Sequence, residues 1–441
     1  MNKYYYIYTY GCQMNVHESD KLRGILEKQK YIETKDVNKA DIIIFNTCCI
    51  RKSAEDKIIG NIGALKPLKK INPNLIVAVC GCMTQQVAMS KYIKETFKFV
   101  DIIFGTHNIH KFEEFLIETE KNKTKIFEII DDDNAIHEDV PISRTTKFNA
   151  YVNIMYGCNN FCTYCIVPLV RGREKSREKK DIINEVEELL KSKKYKSITL
   201  LGQNVNSYGK DLSETITFAS LLDEIANLPY DFVLKFLTSH PKDLSQELID
   251  TIAKNSKISK AIHLPIQSGC NKILKLMNRN YTKEHYLDII KRIREKIPNV
   301  AISSDIIVGF PNETDEDFKE TCDLVREVGF NSLYVFMYSK RENTPASLME
   351  NQVPIKIKKS RINELIQIEK EVASIAFKKM INSEQKVIVE EEIIKESRFV
   401  MTRTDCGKTV LIESNNAKVG EFLFIKITDI IKNQLIGIEI K

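Results

Sequence analysis

The sequence lacks an apolar run of the length, about 18 residues or more, that a membrane-spanning helix needs. Its first residues, MNKYYYIYTYGC, also lack the charged-then-apolar pattern of a secretion signal. We therefore expect a cytoplasmic protein.

The 11 cysteines are an odd number and cannot all pair. In a large chain without a secretion signal they indicate metal binding or catalysis, and they exclude a pure disulfide framework.

The length and composition indicate a multidomain globular protein. At roughly 150 residues per domain, a chain of this size holds about three domains. Hydrophobic residues make up 43% of the 441 residues and charged residues 29%, which is ordinary for a globular chain. The net charge of +6 is mild. It permits an anionic partner without requiring one.

The most informative pattern is the string CNNFCTYC, in which Cys158, Cys162 and Cys165 stand within eight residues. Three thiolates on one loop can hold three irons of a [4Fe–4S] cluster and leave the fourth iron free for a substrate or cofactor. A structural zinc site would need a fourth Cys or His, and none follows nearby. Three buried free thiols are the other alternative. The regular spacing favours the cluster.

A second set of three cysteines follows predicted strands in the N-terminal part. The apolar runs KYYYIYTYG, ADIIIFN, NLIVAVCG and DIIFGT alternate with helical stretches, which predicts a small parallel sheet. Because ligands gather at the carboxyl ends of parallel strands, we expect Cys12, Cys48 and Cys82 to meet at one edge. The alternative is that they are ordinary small buried residues. Strand alternation assigns the neighbouring Cys49 and Cys80 to packing.

Residues 131–147, DDDNAIHEDVPISRTTK, have no periodicity and are predicted to be a linker. A second series of six strands follows, near YVNIMYG, SITLLGQ, FVLKFLTS, AIHLPI, ISSDIIVGF and SLYVFMY. Helical patterns lie between these strands, which predicts a partial (β/α)6 barrel. Polar or glycine-rich loops follow the strands, as they do at the active-site mouth of such barrels.

The last ~60 residues carry five short β-branched segments, which predict a small all-β barrel. Such barrels often bind RNA through basic and aromatic side chains on one face. The available side chains are Arg398, Phe399, Arg403 and Lys408. The alternative is that these are ordinary solvated surface residues.

Taken together, the loop CNNFCTYC and the cysteines Cys12, Cys48 and Cys82 resemble the radical S-adenosylmethionine (SAM) methylthiotransferases. The resemblance extends over essentially the whole chain and implies an α/β protein ending in a TRAM-type RNA-binding barrel. The strings YGCQMN, NTCCIRK, CNNFCTYCIVPLVRGREKSR, LLGQNVNSYG, TSHPKD, HLPIQSG and SSDIIVGFP are most similar to the branch that acts on N6-isopentenyladenosine at position 37 of tRNA. The implied organisation is a cluster domain at 1–130, a linker at 131–147, a radical SAM domain at 148–376 and a TRAM domain at 377–441.

The resemblance also implies cofactors and partners. Cys12, Cys48 and Cys82 would hold an auxiliary [4Fe–4S] cluster, and the loop cysteines would hold the cluster that binds SAM. The expected partners are the anticodon stem-loop of tRNA and an electron donor such as flavodoxin or ferredoxin. The resemblance does not indicate which compound donates the sulfur. A monomer is expected because no coiled coil or partner-binding helix stands out.

Four residues are candidates for SAM contacts. Gln203, Gln267 and Asp305 follow or end predicted barrel strands, although such residues can instead satisfy neighbouring backbone groups. Tyr164 stands between the second and third loop cysteines, where an aromatic side chain can instead fill space. The basic run VRGREKSREKK directly beyond the cysteine loop is a candidate for phosphate contacts with tRNA. Its basic side chains include Arg171, Arg173, Lys175 and Arg177, to which we add Arg403 of the C-terminal barrel. The alternative for the run is a solvated helix start.

The chain departs from the family pattern at Cys49, Leu169 and Asn312, where alanine, tyrosine and a small residue are usual. None of these removes a cluster ligand.

Two other substrates of the family stay open, threonylcarbamoyladenosine in tRNA and an aspartate of a ribosomal protein, although the string GCQMN argues against both. A third alternative is an RNA-binding iron–sulfur sensor without turnover, which the intact radical SAM loop disfavours.

Overall fold

The structure is a computed structural model that describes residues 2–49, 52–131, 135–394, 398–414, 416–432 and 434–440. At residues 52–54, 394 and 398 it describes the backbone alone. The chain forms two compact units. The first contains residues 1–145, 156–159 and 166–177, and the second contains residues 146–155, 160–165 and 178–441. The domain boundaries drawn from the sequence at residues 130, 147 and 376 stay predictions.

The strands in chain order are β1 (Lys3–Thr9), β2 (Tyr31–Glu33), β3 (Ile42–Thr47), β4 (Ile76–Gly81), β5 (Ile102–Phe104), β6 (Ile126–Glu128), β7 (Asn149–Asn153), β8 (Met155–Tyr156), β9 (Lys175–Ser176), β10 (Ser197–Leu201), β11 (Val233–Phe236), β12 (Ala261–His263), β13 (Ala301–Val308), β14 (Ser332–Met337), β15 (Glu384–Ile394), β16 (Arg398–Thr404), β17 (Thr409–Glu413), β18 (Phe422–Ile431) and β19 (Gln434–Glu439).

The α-helices are α1 (Gln13–Lys28), α2 (Lys52–Ala64), α3 (Lys66–Ile71), α4 (Cys82–Gln85), α5 (Val87–Thr96), α6 (Phe112–Asn122), α7 (Val167–Arg171), α8 (Lys179–Lys191), α9 (Phe218–Ala226), α10 (Gln246–Lys254), α11 (Asn271–Leu276), α12 (Lys283–Lys296), α13 (Asp315–Val328), α14 (Pro345–Leu348) and α15 (Ile355–Lys378). Short 3-10 turns lie at Val37–Lys39, Thr106–Lys111, Val205–Ser207 and Pro241–Asp243.

The first unit is built on a parallel sheet in the order β2-β1-β3-β4-β5-β6. Strands β3 and β4 read IIIFNT and IVAVCG and are buried along their whole length, because helices cover both faces of a parallel sheet. Leu22 and Ile25 of α1 pack on one face. Ile58 of α2 and Ile93 of α5 pack on the other. The predicted parallel α/β domain is confirmed.

Six parallel strands of the second unit form two sheets, in the orders β7-β10-β11 and β12-β13-β14. A bridge between Leu234 and Ile258 links β11 to the segment before β12. Helices lie between successive strands, and their apolar faces share one core with the sheets. Helix α13 begins at a capping residue, Thr314, whose hydroxyl accepts a hydrogen bond from the backbone N–H of Asp317 at 3.3 Å. The predicted partial (β/α)6 barrel is confirmed.

The last five strands close into a small barrel in the order β15-β16-β17-β19-β18. Neighbouring strands are antiparallel except for β17 and β19, which run parallel. Buried valine and isoleucine side chains, among them Val387, Val400, Ile412 and Ile425, fill the interior. The predicted all-β barrel is confirmed.

Candidate functional site

Three cysteines of the first unit stand at one edge of its sheet. Cys12, Cys48 and Cys82 follow the carboxyl ends of β1, β3 and β4, and these three strands are neighbours in the sheet. The strand order reverses between β1 and β3. Open α/β sheets bind ligands at such a switch point, just beyond the carboxyl ends of the strands.

The turns into two of these cysteines depend on glycine. Gly11 has a φ of +109° and Gly81 a φ of +101°, backbone conformations that other residues rarely adopt. A Cβ atom at Gly11 would lie 2.6 Å from the Cβ atom of Cys48, and one at Gly81 would lie 2.4 Å from the carbonyl oxygen of Thr47. The backbone leading to Cys12 therefore passes directly beside Cys48, and the backbone leading to Cys82 passes beside β3.

A buried arginine contacts one of the three thiols. The Nε and Nη2 atoms of Arg171 donate hydrogen bonds to the Sγ atom of Cys82 at 3.2 and 3.1 Å. The same guanidinium forms an ion pair with Glu18 and donates to Asn15 Oδ1 at 3.0 Å. Arg171 is only 6% exposed, because the preceding Val170 packs into the core of the first unit.

These contacts change the acidity of the thiols. A hydrogen bond with Cys49 is the largest effect at Cys82 and, together with the charge of Arg171, lowers the pKa of that thiol to about 7 in spite of burial. At Cys12 burial raises the pKa, although the charge of Arg171 opposes the rise. Both thiols therefore respond to the same guanidinium. Cys82 reaches the thiolate form, which binds iron, near neutral pH.

The two neighbouring cysteines are both buried. Cys80 lies within β4 and packs in the core on the α1 side of the sheet, as strand alternation predicted. Cys49 packs in the core on the opposite face and also hydrogen-bonds with Cys82. No local sequence pattern indicates this second contact.

The three thiols fit the auxiliary iron–sulfur cluster implied by the resemblance. Soft thiolate ligands arrive from three adjacent strand ends, which is the donor set that an iron–sulfur cluster takes. Arg171 hydrogen-bonds with the sulfur of Cys82, as outer-shell partners of metal sites commonly do with a ligand. Cys48 and Cys82 are buried, whereas Cys12 is partly exposed.

The loop cysteines belong to both units. In the first unit, the backbone N–H of Cys158 donates to the carbonyl oxygen of Gly172 at 3.2 Å. In the second unit, the N–H of Cys165 donates to the carbonyl oxygen of Cys162 at 2.9 Å. Cys162 is buried and Cys165 is partly exposed. Between them, the hydroxyl of Thr163 donates to the carbonyl oxygen of Leu276 at 2.9 Å, which anchors this part of the loop on α11.

A second buried arginine, Arg279, contacts a loop cysteine within the second unit. Its Nη1 atom lies 3.4 Å from Cys162 Sγ, its Nε atom donates to the Tyr281 hydroxyl at 2.7 Å, and its Nη2 atom donates to the carbonyl oxygen of Pro265 at 2.8 Å. Arg279 could not be identified from the sequence, because one arginine in the string MNRNY carries no motif. Within the second unit, the thiols of Cys162 and Cys165, with this donor beside Cys162, suit iron–sulfur ligation.

Two of the candidate SAM residues are neighbours in the partial barrel. The backbone N–H of Gln267 donates to the carbonyl oxygen of Asp305 on β13 at 2.9 Å. Gln267 has a φ of +75°. The carboxylate of Asp305 lies 3.4 Å from Nε2 of His263. His263 and Asp305 are both partly exposed, so their polar groups are accessible to a ligand.

The other two candidates, Tyr164 and Gln203, lie in two different loops. The ring of Tyr164 meets Phe310 edge-on, with ring centroids 6.5 Å apart, and burial raises the pKa of its hydroxyl. Gln203 follows β10 and is partly exposed. Direct contact of these four residues with SAM stays a prediction.

His240, after β11, is buried and accepts a hydrogen bond at Nδ1 from the backbone N–H of Lys242 at 3.2 Å. Burial, with the charges of Arg279 and Lys242, lowers the pKa of His240 to about 2. The imidazole is therefore neutral at physiological pH, and its bond with Lys242 holds the start of this loop.

The structure corrects the predicted role of two residues in the basic run. Arg171 and Arg177 are each 6% exposed. Arg171 is held by Glu18, and Arg177 forms two hydrogen bonds with the Glu138 carboxylate at 2.7 and 2.6 Å. Neither guanidinium is available to a phosphate group. Arg173 is exposed and Lys175 is partly exposed, so these two retain the predicted role as a proposal.

The C-terminal barrel offers fewer free cations than the sequence indicated. Arg403 is about a third exposed and donates to the Glu390 carboxylate at 2.6 Å. Lys408 is buried and donates to the hydroxyl of Ser332 at 3.2 Å. The side chain of Arg398 lies outside the described residues.

Residues 152–325 match the Radical SAM superfamily, and residues 4–105 match an uncharacterized protein family, UPF0004. A curated relative from Clostridium botulinum (strain Langeland), named tRNA-2-methylthio-N(6)-dimethylallyladenosine synthase, is 49% identical over 436 residues, which cover 99% of this chain and 97% of the relative. A relative of the same name from Clostridium perfringens (strain SM101) is 49% identical with the same coverage. The chain belongs to the tRNA-2-methylthio-N(6)-dimethylallyladenosine synthase family.

Membership in this family confirms the resemblance drawn from the cysteine motifs and the assignment of the chain as a radical SAM transferase. It also confirms SAM and [4Fe–4S] clusters, two in this family, as the cofactors. The roles of individual residues toward these cofactors stay predictions.

Solved structures share the fold of this synthase family member. The radical S-adenosylmethionine methyltransferase TsrM from Kitasatospora setae, with cobalamin and a [4Fe-4S] cluster bound, aligns over 79% of this chain and 77% of its own with a TM-score of 0.57 and 12% identity. The cobalamin-dependent radical enzyme OxsB aligns over 84% of this chain and 56% of its own with a TM-score of 0.52. At these identities the likeness concerns the fold alone.

Among the described residues, no helix is both long enough and apolar enough to span a membrane.

Proposed function

We propose that the chain adds a methylthio group to C2 of N6-isopentenyladenosine at position 37 of tRNA. One observation carries the proposal: Cys12, Cys48 and Cys82 converge at the switch point of the N-terminal sheet, in a chain that also carries the three-cysteine radical SAM loop. With two separate thiolate sets, one set can hold the cluster that starts the radical chemistry, and the other can hold the cluster that delivers sulfur.

The reaction itself explains why cofactors are needed. The hydrogen on C2 of adenine is unactivated, and no side-chain acid or base can remove it. When bound, SAM and the two clusters supply the radical chemistry and the sulfur atom.

The chain's own residues hold and orient the thiolates. Arg171, fixed by Glu18 and Asn15, donates to Cys82. In the second unit, Arg279 donates to Cys162. Hydrogen bonds to ligand sulfurs stabilise the negative charge of the thiolate and tune the reduction potential of a cluster. We assign both arginines as positioning residues.

For the nucleic acid we propose the anticodon stem-loop with an isopentenylated adenosine. Arg173 and Lys175, beyond the cysteine loop, and Arg403 of the small barrel are the proposed phosphate contacts. This proposal is supported by the positive charge of the three side chains and by their partial or full exposure to solvent. A small reduced electron carrier of the flavodoxin or ferredoxin class, a cytoplasmic location and a monomeric state complete the proposal.

The test is anaerobic reconstitution followed by turnover. The protein would be loaded with iron and sulfide, then incubated with SAM, reductant and an isopentenylated anticodon stem-loop, and the nucleosides analysed by mass spectrometry. We expect a mass gain of one methylthio group, lost in both Cys12→Ala and Cys158→Ala. The matched control is Cys406→Ala, a cysteine of the small barrel that belongs to neither set.

Formation of 5′-deoxyadenosine without any change in the RNA would overturn the substrate assignment. Stem-loops carrying threonylcarbamoyladenosine, and a ribosomal protein substrate, would then be tested in the same assay. Absence of SAM cleavage in a protein with full iron content would overturn the proposed chemistry altogether.

A further inference from the structure

The turn that ends α11 holds part of the cysteine loop in place. This turn, residues 276–279, and loop residues 160–165 both belong to the second unit. The carbonyl oxygens of Leu276 and Met277 accept hydrogen bonds from the hydroxyl and the backbone N–H of Thr163, at 2.9 and 3.0 Å. Two adjacent residues of the turn therefore fix one loop residue through both its side chain and its backbone.

The next residue of the turn, Asn278, binds the loop with its side chain. Its Nδ2 atom donates to the carbonyl oxygen of Asn160 at 3.2 Å and to that of Phe161 at 3.0 Å. These two carbonyls belong to the peptide groups on either side of the Cα atom of Phe161. The carboxamide of Asn278 thus restrains both backbone dihedral angles of Phe161.

Phe161 requires this restraint because its backbone is strained. Its φ is +47°, in the left-handed region that a residue with a bulky side chain rarely adopts. Phe161 directly precedes Cys162, whose Sγ atom lies 3.4 Å from Nη1 of Arg279. The strained residue therefore sets the direction in which the chain enters Cys162.

The identity of residue 278 is itself informative, because α11 ends in a Schellman motif. The backbone N–H of Asn278 donates to the carbonyl oxygen of Lys275 at 3.0 Å. The backbone N–H of Arg279 donates to the carbonyl oxygen of Leu274 at 2.8 Å. This motif places Asn278 at a φ of +57°, where glycine is the usual residue and asparagine an occasional one. Unlike glycine, asparagine brings a carboxamide to the loop.

We propose that Asn278 is a positioning residue for the cluster that binds SAM. Its carboxamide presets the loop around Cys162 before iron binds, so that this part of the chain does not have to be ordered when the cluster assembles. The inference uses only the cofactor of the radical SAM domain. It does not depend on the RNA substrate.

The first test measures the order of the loop without iron. Hydrogen exchange of the full-length, reduced and cluster-free protein would be followed by mass spectrometry in peptides that cover residues 160–165. Asn278→Gly keeps the left-handed turn and removes the carboxamide. We expect the Thr163 amide to exchange about tenfold faster in this variant, the change that corresponds to the loss of hydrogen bonds of this kind. The matched control is Asn280→Gly, at an exposed position two residues further along.

The second test measures how firmly the loop holds iron. In the Cys12→Ala/Cys48→Ala/Cys82→Ala background, only the radical SAM cluster assembles, and its iron release to a coloured chelator would be timed by absorbance. Asn278→Gly and Asn278→Asp should both release iron about 10–100-fold faster, the range typical of groups that orient metal ligands. Asp is included because its carboxylate has the size of the carboxamide but cannot donate a hydrogen bond. Asn280→Gly should match the background protein.

Equal exchange in the wild type and Asn278→Gly would overturn the inference, since the turn backbone alone would then hold the loop. So would equal iron release in the background protein and the two Asn278 variants. Faster exchange in Asn280→Gly as well would also overturn it, because the effect would not be specific to the carboxamide. Neither measurement uses SAM or RNA. A wrong substrate would appear in the nucleoside assay, and a failure of this inference in the exchange and iron-release rates.

Discussion

Arg171 donates two hydrogen bonds to the sulfur of Cys82, from Nε at 3.2 Å and from Nη2 at 3.1 Å. Arg279 stands in a similar relation to Cys162, at 3.4 Å from its sulfur. Each of the two cysteine sets therefore has a buried arginine on one of its thiols. A guanidinium can donate to a sulfur and to other groups at once, which lysine cannot do in the same planar geometry.

We predict that Arg171→Leu destabilises the cluster-free protein by about 3–5 kcal/mol, because the substitution leaves the Glu18 carboxylate buried and unpaired. Urea unfolding under reducing conditions measures the change. The double variant Glu18→Gln/Arg171→Leu should recover part of the loss, since the unpaired charge is then gone. Arg173→Leu, at an exposed neighbouring position, serves as the control. Equal stability of Arg171→Leu and Arg173→Leu would contradict the assigned role.

We predict that Arg279→Lys lowers the reduction potential of the cluster on the radical SAM loop. Lysine keeps the charge but cannot donate to Cys162, Tyr281 and Pro265 together. Loss of one charged hydrogen bond corresponds to a fall of roughly 60 mV for a one-electron couple. The measurement is an EPR-monitored redox titration in a background without the N-terminal cysteine ligands. An unchanged or higher potential would count against this assignment.

Cys49 and Cys48 are adjacent and both buried, yet we assign only Cys48 as a ligand. Cys48→Ala should lose about half of the reconstituted iron, because one of two clusters fails to assemble. Cys49→Ala should keep the wild-type iron content. It should, however, raise the pKa of Cys82 in the cluster-free protein, since the hydrogen bond from Cys49 is the largest effect that lowers it. Iron and sulfide analysis, with a thiolate absorbance titration, checks both. Loss of iron in Cys49→Ala would make it a ligand.

We predict that the difference in stability between the wild type and Glu313→Gln depends on pH. Burial raises its pKa from 4.5 to about 7 in the folded chain, although the Gly309 N–H and Arg361 oppose the rise. The folded state therefore binds this proton more tightly than the unfolded state, and the stability that protonation provides is lost as the pH rises from about 4.5 to 7. Relative to Glu313→Gln, the wild type should lose about 3 kcal/mol over this range.

The free energy of unfolding would be measured at pH 4.5 and 7.5 for the wild type and Glu313→Gln. The difference between the two proteins isolates the titration of Glu313, because all other titrating groups are the same in both. Asp315→Asn, whose carboxylate also pairs with Arg361 but is 89% exposed, is the control and should show little change. A constant difference between wild type and Glu313→Gln across the range would show that Glu313 is ionised throughout.

The fold and the main cysteine positions were predictable from the sequence because they depend on local patterns. Buried parallel strands appear as apolar runs such as IIIFNT, and a cysteine that follows such a run must lie at the carboxyl edge of the sheet. Cys12, Cys48 and Cys82 could therefore be assigned to one edge without coordinates. The five strands of the small barrel were equally evident from their β-branched residues and turns.

The contacts that tune the site were not predictable, because they join residues far apart in sequence. Arg171 stands in one basic run with Arg173 and Lys175, and nothing local separates them. Its burial depends on the packing of Val170 in the sheet core and on a contact with Cys82, 89 residues away.

We assign separate tasks to the two thiolate sets. The most direct test is the Cys12→Ala/Cys48→Ala/Cys82→Ala variant, reconstituted anaerobically and incubated with SAM, reductant and the isopentenylated stem-loop. We expect that 5′-deoxyadenosine still forms while the RNA gains no methylthio group. Formation of methylthiolated RNA by this variant would contradict the assignment of these three cysteines to sulfur delivery.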